Sequence, residues 1–137
     1  MKKLFRIHFV AIVVSDLLLF AFFSTRSETS LEELLFAGFI FLLAQGLLLF
    51  RLVVRLKHQF SDIYPQINKK IRFYYLGVLS IDFLFFVLLT FVSSQRFPSL
   101  MPIITACHST LYYRTADYLR EKYPDFYDKH ISLWECL

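Results

Sequence analysis

Four apolar runs, each of a length suited to a membrane helix, constrain the fold of this chain more than any other feature. They lie at about residues 7–23, 31–50, 73–92 and 97–113. An α-helix rises about 1.5 Å per residue and the hydrocarbon core of a bilayer is about 30 Å thick, so runs of this length suit membrane spans. Apolar residues form 57% of the chain, against about 45–50% in soluble domains. The pattern predicts an all-α integral membrane four-helix bundle made of two tandem transmembrane hairpins.

The first and fourth runs have alternative interpretations. The basic start at Lys2, Lys3 and Arg6 is also typical of a signal peptide, but no small-x-small cleavage site follows and Asp16 interrupts the apolar stretch. We therefore interpret the first run as a retained helix. The fourth run is the weakest because it contains prolines and several polar residues, although prolines are tolerated in the first turn of a helix.

The distribution of basic residues predicts the topology. With four spans and both termini inside, only Arg26 and Arg96 of the 15 Lys and Arg residues lie on the outer side. Cytosolic loops of membrane proteins carry such an excess of Lys and Arg. If the fourth run did not cross, the basic residues that follow it would join the outer side and the asymmetry would weaken. We expect a multi-pass cell-membrane protein with cytoplasmic N- and C-termini.

The ends of the helices also carry signals. Ser30 and Glu33 have the spacing of a capping box, so we expect the second helix to begin there. The second helix is expected to continue past its apolar run and to end near Pro65. The fourth helix is expected to reach Tyr123, where Pro124 stops it. Residues 1–123 would thus form the four-span domain.

Residues 124–137 have the spacing of a short amphipathic helix in the cytosol. Tyr127, Ile131 and Trp134 share its apolar face. This face could lie on lipid headgroups or on a protein partner. It could equally pack back onto a cytosolic loop of the same chain.

The two halves of the chain resemble each other in sequence. An aspartate follows a basic residue by ten positions in each half, as Arg6 with Asp16 and Arg72 with Asp82. Equal spacing from the cytosolic edge places both carboxyl groups at similar depth. A carboxylate near the middle of a bilayer is costly and usually faces the bundle interior or a water-filled cavity. The pair could line an ion or proton path, or each member could bond to a neighbouring helix and fix its register.

Three further polar residues lie inside the predicted spans: Gln45, Thr105 and His108. Gln45 precedes Arg51 by six residues and His108 precedes Arg114 by six, a second echo of the repeat. An imidazole titrates near neutral pH and could act as a proton switch; an interfacial histidine bonded to Gln45 or to a backbone carbonyl is the alternative. The polar fourth helix is our candidate for a central pore or a seam between subunits of a homo-oligomer.

A basic surface is predicted on the cytosolic loop between the second and third spans. It could bind anionic lipid or a nucleotide, although the topology already accounts for its charge. Its members are Arg51, Arg55, Lys57, Lys69, Lys70 and Arg72.

The sequence contains no pattern typical of an enzyme. Motifs such as a P-loop, GxGxxG, GxSxG or HExxH are absent, and neither cysteine lies in a metal-binding or disulfide pattern. We expect no catalytic residue, no metal, no cofactor and no specific nucleic-acid partner. Two functional hypotheses follow. The first is a small homo-oligomeric, channel-like or membrane-perturbing effector with a polar interior. The second is a non-conducting anchor that recruits a cytosolic protein through its basic loop and tail.

Overall fold

The computed structural model describes residues 1–25, 30–89 and 97–128. Four long helices form one bundle in which α1 packs on α2, α2 on α3, α3 on α4, and α4 on α1. The short connections between consecutive helices make chain neighbours antiparallel. The helices are α1 (Lys2–Ser24), α2 (Leu31–Gln59), α3 (Tyr64–Leu89) and α4 (Phe97–Lys122), followed by the short α5 (Pro124–Tyr127).

The start of α2 and the end of α4 confirm the local signals in the sequence. The Ser30 Oγ accepts a hydrogen bond from the Glu33 N–H at 3.2 Å, and the Glu33 carboxylate accepts one from the Ser30 N–H at 3.2 Å. This reciprocal pair is the predicted capping box at the start of α2. Helix α4 ends at Lys122, just before Pro124. Helix α2 continues past its apolar run but ends at Gln59. Pro65, which was expected near that end, lies in the first turn of α3, where its missing N–H is tolerated.

Three of the helices are long and apolar enough to cross a membrane, over Lys2–Ser24, Glu32–Gln59 and Tyr64–Leu88. Helix α4 does not meet the same criterion of length and composition. Large apolar side chains cover the outside of the bundle, with Leu18, Phe36 and Phe39 each about two-thirds exposed. Because exposed apolar area of this extent is typical of contact with lipid or with other protein, the fold suits a multi-pass membrane protein.

The interior contains two hydrophobic clusters. The larger lies at the end of the bundle that holds the α2–α3 turn at residues 60–63, and it includes Phe5, Leu56, Ile67 and Leu119. The smaller lies towards the opposite end and consists of Leu19, Phe23, Phe41, Phe85 and Ile104, with partly buried neighbours around them. The layer between the two clusters is polar, and it positions the candidate site.

The described part of the predicted tail folds back onto the chain. Tyr127 is buried in the larger cluster, and burial raises the pKa of its phenol above the ordinary value, which keeps it neutral at physiological pH. The Met1 ammonium group donates to the Phe126 carbonyl oxygen at 3.3 Å, and the Lys2 Nζ lies 3.9 Å from the Asp128 carboxylate. Tyr127 therefore packs on its own protein. Ile131 and Trp134 lie outside the described residues.

Candidate functional site

Four polar side chains meet inside the bundle, one from each long helix. They are Asp16 on α1, Gln45 on α2, Asp82 on α3 and His108 on α4, and none is more than 1% exposed. We call them the polar tetrad.

The helical period explains why these side chains point inward. Each takes one position in the buried stripe of its helix, between apolar residues three or four positions away. On α1 the stripe contains Ile12 and Leu19, and on α4 it contains Ile104 and Tyr112. The same periodicity that buries these apolar neighbours therefore buries Asp16 and His108.

Asp16 has a partner for each carboxylate oxygen. Its Oδ1 accepts a hydrogen bond from the Gln45 Nε2 at 3.4 Å, and its Oδ2 lies 3.0 Å from the His108 Nδ1. The second contact is a hydrogen bond when His108 carries its proton on Nδ1. Asp16 thus connects α1 to α2 and to α4 through one carboxylate.

The carboxylate of Asp82 has different contacts from that of Asp16. Its Oδ1 lies 3.2 Å from the His108 Nε2, yet both Asp82 oxygens and this nitrogen are buried without a hydrogen-bond partner. When a neutral His108 donates from Nδ1 to Asp16, its Nε2 presents a lone pair and cannot donate. Two acceptors then face each other in the interior, an arrangement that is costly unless a positive charge lies between them.

The net charge of the tetrad depends on how many protons it holds. Two ionised carboxylates with a neutral imidazole give a charge of −2, and burial of unpaired charge is strongly unfavourable. One proton on His108 reduces the charge to −1, and one divalent cation neutralises it. Either cation would lower the cost of burying two ionised carboxylates together.

Three members of the tetrad have side chains of types that bind metal ions. One ligand atom each from Asp16, Asp82 and His108 lies within 4.8 Å of the others. Local motif spacing in the sequence cannot reveal such a cluster, because its members come from three separate helices. The repeat was the available signal, since it places the two aspartates at equivalent positions and Gln45 and His108 at equivalent positions.

The structure brings together four of the five polar residues that the sequence singled out inside the spans. Gln45 on α2 bonds to Asp16 on α1, a contact between neighbouring helices of the kind considered for the aspartates. The suggested pairing of His108 with Gln45 takes a different form, because both contact Asp16. The fifth residue, Thr105, is half-buried one turn before His108, and its carbonyl oxygen accepts a hydrogen bond from the Ser109 hydroxyl at 2.7 Å.

The basic surface predicted from the sequence lies on α2 and α3, near their connection. Lys57, Lys69 and Arg72 are exposed, and Lys70 is half-buried with its Nζ 5.0 Å from the centre of the Tyr118 ring. The remaining two, Arg51 and Arg55, line a groove between α1 and α2 together with His8. These side chains are separate from the tetrad.

Comparisons of the chain with protein-family models, with curated proteins and with solved structures gave no match. The fold and the site alone define the class of protein. It is an all-α bundle of four long helices, three of them long and apolar enough to span a membrane, with a buried cluster of ionisable side chains.

Proposed function

We propose that this chain is a four-span membrane protein that binds a cation at the polar tetrad and passes it across the bilayer through the interior of its own bundle. One observation carries the proposal. The buried Asp82 Oδ1 and His108 Nε2 lie 3.2 Å apart, and both are acceptors when a neutral His108 carries its proton on Nδ1. Ionisable groups inside membrane helices commonly mark ion and proton pathways.

The contacts within the tetrad support the proposal that α4 is a fourth membrane span. Asp16 lies well inside α1, a helix apolar enough to cross the membrane, and His108 contacts it at 3.0 Å. Helix α4 must therefore reach the depth of Asp16. If α1 crosses the bilayer, α4 enters the bilayer beside it.

The surface of α4 is compatible with that depth despite its polar composition. Between Pro102 and Tyr113 the exposed side chains carry no formal charge. The Thr110 hydroxyl donates to the Ala106 carbonyl oxygen at 2.8 Å, and Ser109 bonds in the same way within the helix. Hydroxyl groups that bond to their own helix need no water, so they are tolerated in hydrocarbon.

The proposed path lies inside one chain. Asp16, Gln45, Asp82 and His108 are buried within the monomer, so a path through them requires no pore between subunits. Packed apolar side chains lie on both sides of the tetrad along the bundle. We propose that this is an occluded state, and that a bound cation leaves when one of the two clusters opens.

Two parts of the sequence interpretation stay predictions. One is homo-oligomerisation with a membrane-perturbing effect, and native mass spectrometry of the detergent-extracted protein would measure the number of subunits. The other is the role of a non-conducting anchor for a cytosolic partner. The docking of Tyr127 into the larger cluster removes one of the three tail residues expected to contact such a partner.

Flux into liposomes tests transport. The purified full chain is reconstituted with a pH-sensitive dye inside one set of vesicles and a dye sensitive to divalent metals inside another. We expect flux of one of these cations with the native chain, and a loss of at least tenfold with Asp82→Asn. Ser80→Ala is the matched control, since Ser80 is exposed and lies two residues away on the same helix. Equal flux in all three proteins, or flux in none, contradicts transport through the tetrad.

Cysteine labelling tests the topology. In a Cys107→Ser background, Cys136 reports the C-terminal side, and Thr25→Cys reports the end of α1. A membrane-impermeant maleimide added to sealed, right-side-out vesicles should label the cysteine at position 25 and leave Cys136 unlabelled until the vesicles are opened. Labelling of Cys136 from outside would mean that α4 does not cross with the predicted orientation.

A further inference from the structure

We infer that the cation bound by the tetrad is a divalent first-row transition metal ion of the Zn²⁺ type, held by Asp82 and by the Nε2 of His108, with Asp16 as the group that orients the histidine. This inference rests on the proposed function in that it uses the same site. It concerns binding at equilibrium, which is measured separately from transport.

The spacing of the unpartnered atoms fits two ligands of one metal ion. Zinc binds histidine nitrogen and carboxylate oxygen at about 2.0–2.2 Å, so two ligands of a tetrahedral site lie about 3.3–3.6 Å apart. The His108 Nε2 and the Asp82 Oδ1 are 3.2 Å apart. A charge-assisted hydrogen bond would be shorter, at about 2.7–2.9 Å, and aligned. The contact between the His108 Nε2 and the Asp82 Oδ1 is longer, at 3.2 Å, and both atoms are acceptors when a neutral His108 carries its proton on Nδ1.

The contact between Asp16 and His108 supplies the supporting interaction that metal-binding histidines commonly have. Such a histidine donates its other ring N–H to a carboxylate or a carbonyl oxygen, which fixes the tautomer and the ring orientation. Here the His108 Nδ1 lies 3.0 Å from the Asp16 Oδ2, and the Asp16 Oδ1 is fixed by Gln45. The lone pair of Nε2 is thereby directed to the side where Asp82 lies.

The type and number of ligands select the class of metal. Imidazole nitrogen with carboxylate oxygen suits zinc and its first-row neighbours. Calcium takes six to eight oxygen ligands and magnesium requires near-octahedral oxygen coordination, whereas this site offers a nitrogen and few oxygens. Besides the atoms of Asp82 and His108, the Gln45 Oε1 is also buried without a hydrogen-bond partner, so the tetrad contains one further oxygen acceptor.

The charge of the tetrad also favours a divalent metal ion. The two carboxylates of the tetrad give −2 when His108 is neutral, and a divalent ion neutralises them without a further counter-charge. The second Asp82 oxygen also lacks a partner, which leaves it available for bidentate binding. A metal ion would therefore satisfy the atoms of the tetrad that protein groups leave unsatisfied.

Metal binding to the detergent-solubilised full chain tests the inference. The protein is stripped with a chelator and titrated with Co²⁺, whose visible absorption reports four-coordinate binding, and with Zn²⁺ as a competitor. We expect one ion per chain. The affinity should fall by at least about 100-fold in Asp82→Asn, which removes a ligand, and by about 10–100-fold in Asp16→Asn, which removes the orienting group. His58→Gln is the control, because His58 is an exposed histidine away from the tetrad, and its affinity should equal that of the native chain.

Thermal unfolding of the native chain gives a second measurement that needs no variant. Ligands that bind only the folded state raise the melting temperature, so Zn²⁺ should raise it and Mg²⁺ at the same concentration should not. The inference is overturned if Zn²⁺ gives no shift and no Co²⁺ absorption, or if His58→Gln removes the binding while Asp82→Asn retains it. Zinc binding without flux in liposomes upholds the metal site and overturns transport. Proton flux without zinc binding upholds transport and overturns the metal site.

Discussion

Asp16 and Asp82 contact the two nitrogens of a single imidazole ring, that of His108, at 3.0 and 3.2 Å. The two aspartates occupy equivalent positions in the sequence repeat, ten residues after Arg6 and Arg72. Their surroundings nevertheless differ, because Asp16 has hydrogen-bond partners on both oxygens and Asp82 has none. Equivalent substitutions at the two positions should therefore have opposite effects on stability.

Asp82→Asn should stabilise the metal-free protein. The asparagine amide can donate to the His108 Nε2, and it replaces a buried carboxylate whose oxygens have no hydrogen-bond partner. Relief of one such unsatisfied contact is worth about 1–3 kcal/mol. The measurement is unfolding in detergent in the presence of a chelator. A loss of more than about 1 kcal/mol would show that Asp82 makes favourable interactions in the metal-free state.

Asp16→Asn should destabilise the protein by about 1–3 kcal/mol. Asp16 accepts from Gln45 and from His108, whereas asparagine has only one acceptor oxygen and must direct its own N–H donors towards one of these two donors. Unfolding under the same conditions as for Asp82→Asn measures the effect. Ser15→Ala, a change at the half-buried neighbour on α1, is the control. A variant as stable as the native chain would contradict the assigned hydrogen bonds.

The helices of this protein could be predicted from the sequence more fully than the contacts between them. The apolar runs indicated the four long helices, and the spacing of Ser30 and Glu33 indicated the start of α2, because both depend on residues close together in the chain. The contact of His108 with both aspartates could not be read in the same way. It depends on which helices are neighbours in the bundle and on how each is rotated, and residues far apart in the sequence determine both.

His108→Leu should destabilise the bundle by about 3–5 kcal/mol, because it removes the partner of a buried charged group and leaves two carboxylates facing apolar atoms. His8→Leu is a matched control. His8 is also buried, but its Nε2 has no hydrogen-bond partner, so leucine there should be neutral or stabilising. Chemical unfolding of both variants in detergent tests the difference. Equal effects at the two positions would mean that the contacts of His108 with the aspartates contribute nothing to stability.

The glycines of α2 allow a test of close helix packing that does not involve the tetrad. A Cβ atom added at Gly38 would lie 2.6 Å from the Phe86 Cδ1, whereas a Cβ at Gly46 meets no atom within 4 Å. The Phe86 ring is confined by the rings of Phe41 and Phe85, whose centres lie 5.6 and 5.9 Å away. Gly38→Ala should therefore cost about 1–3 kcal/mol through overpacking.

Gly46→Ala is the control for that change, since both glycines lie in the same helix. It should be neutral or stabilising by up to about 1 kcal/mol, because alanine has the higher helix propensity. Gly77→Ala is an intermediate case, with its Cβ 2.9 Å from the end of the Leu111 side chain, which can rotate away more easily than a confined ring. Melting temperatures in detergent should rank Gly46→Ala above Gly77→Ala and Gly38→Ala last. If Gly38→Ala has the same melting temperature as Gly46→Ala, then α2 and α3 do not pack as closely at Phe86 as they do in the structure.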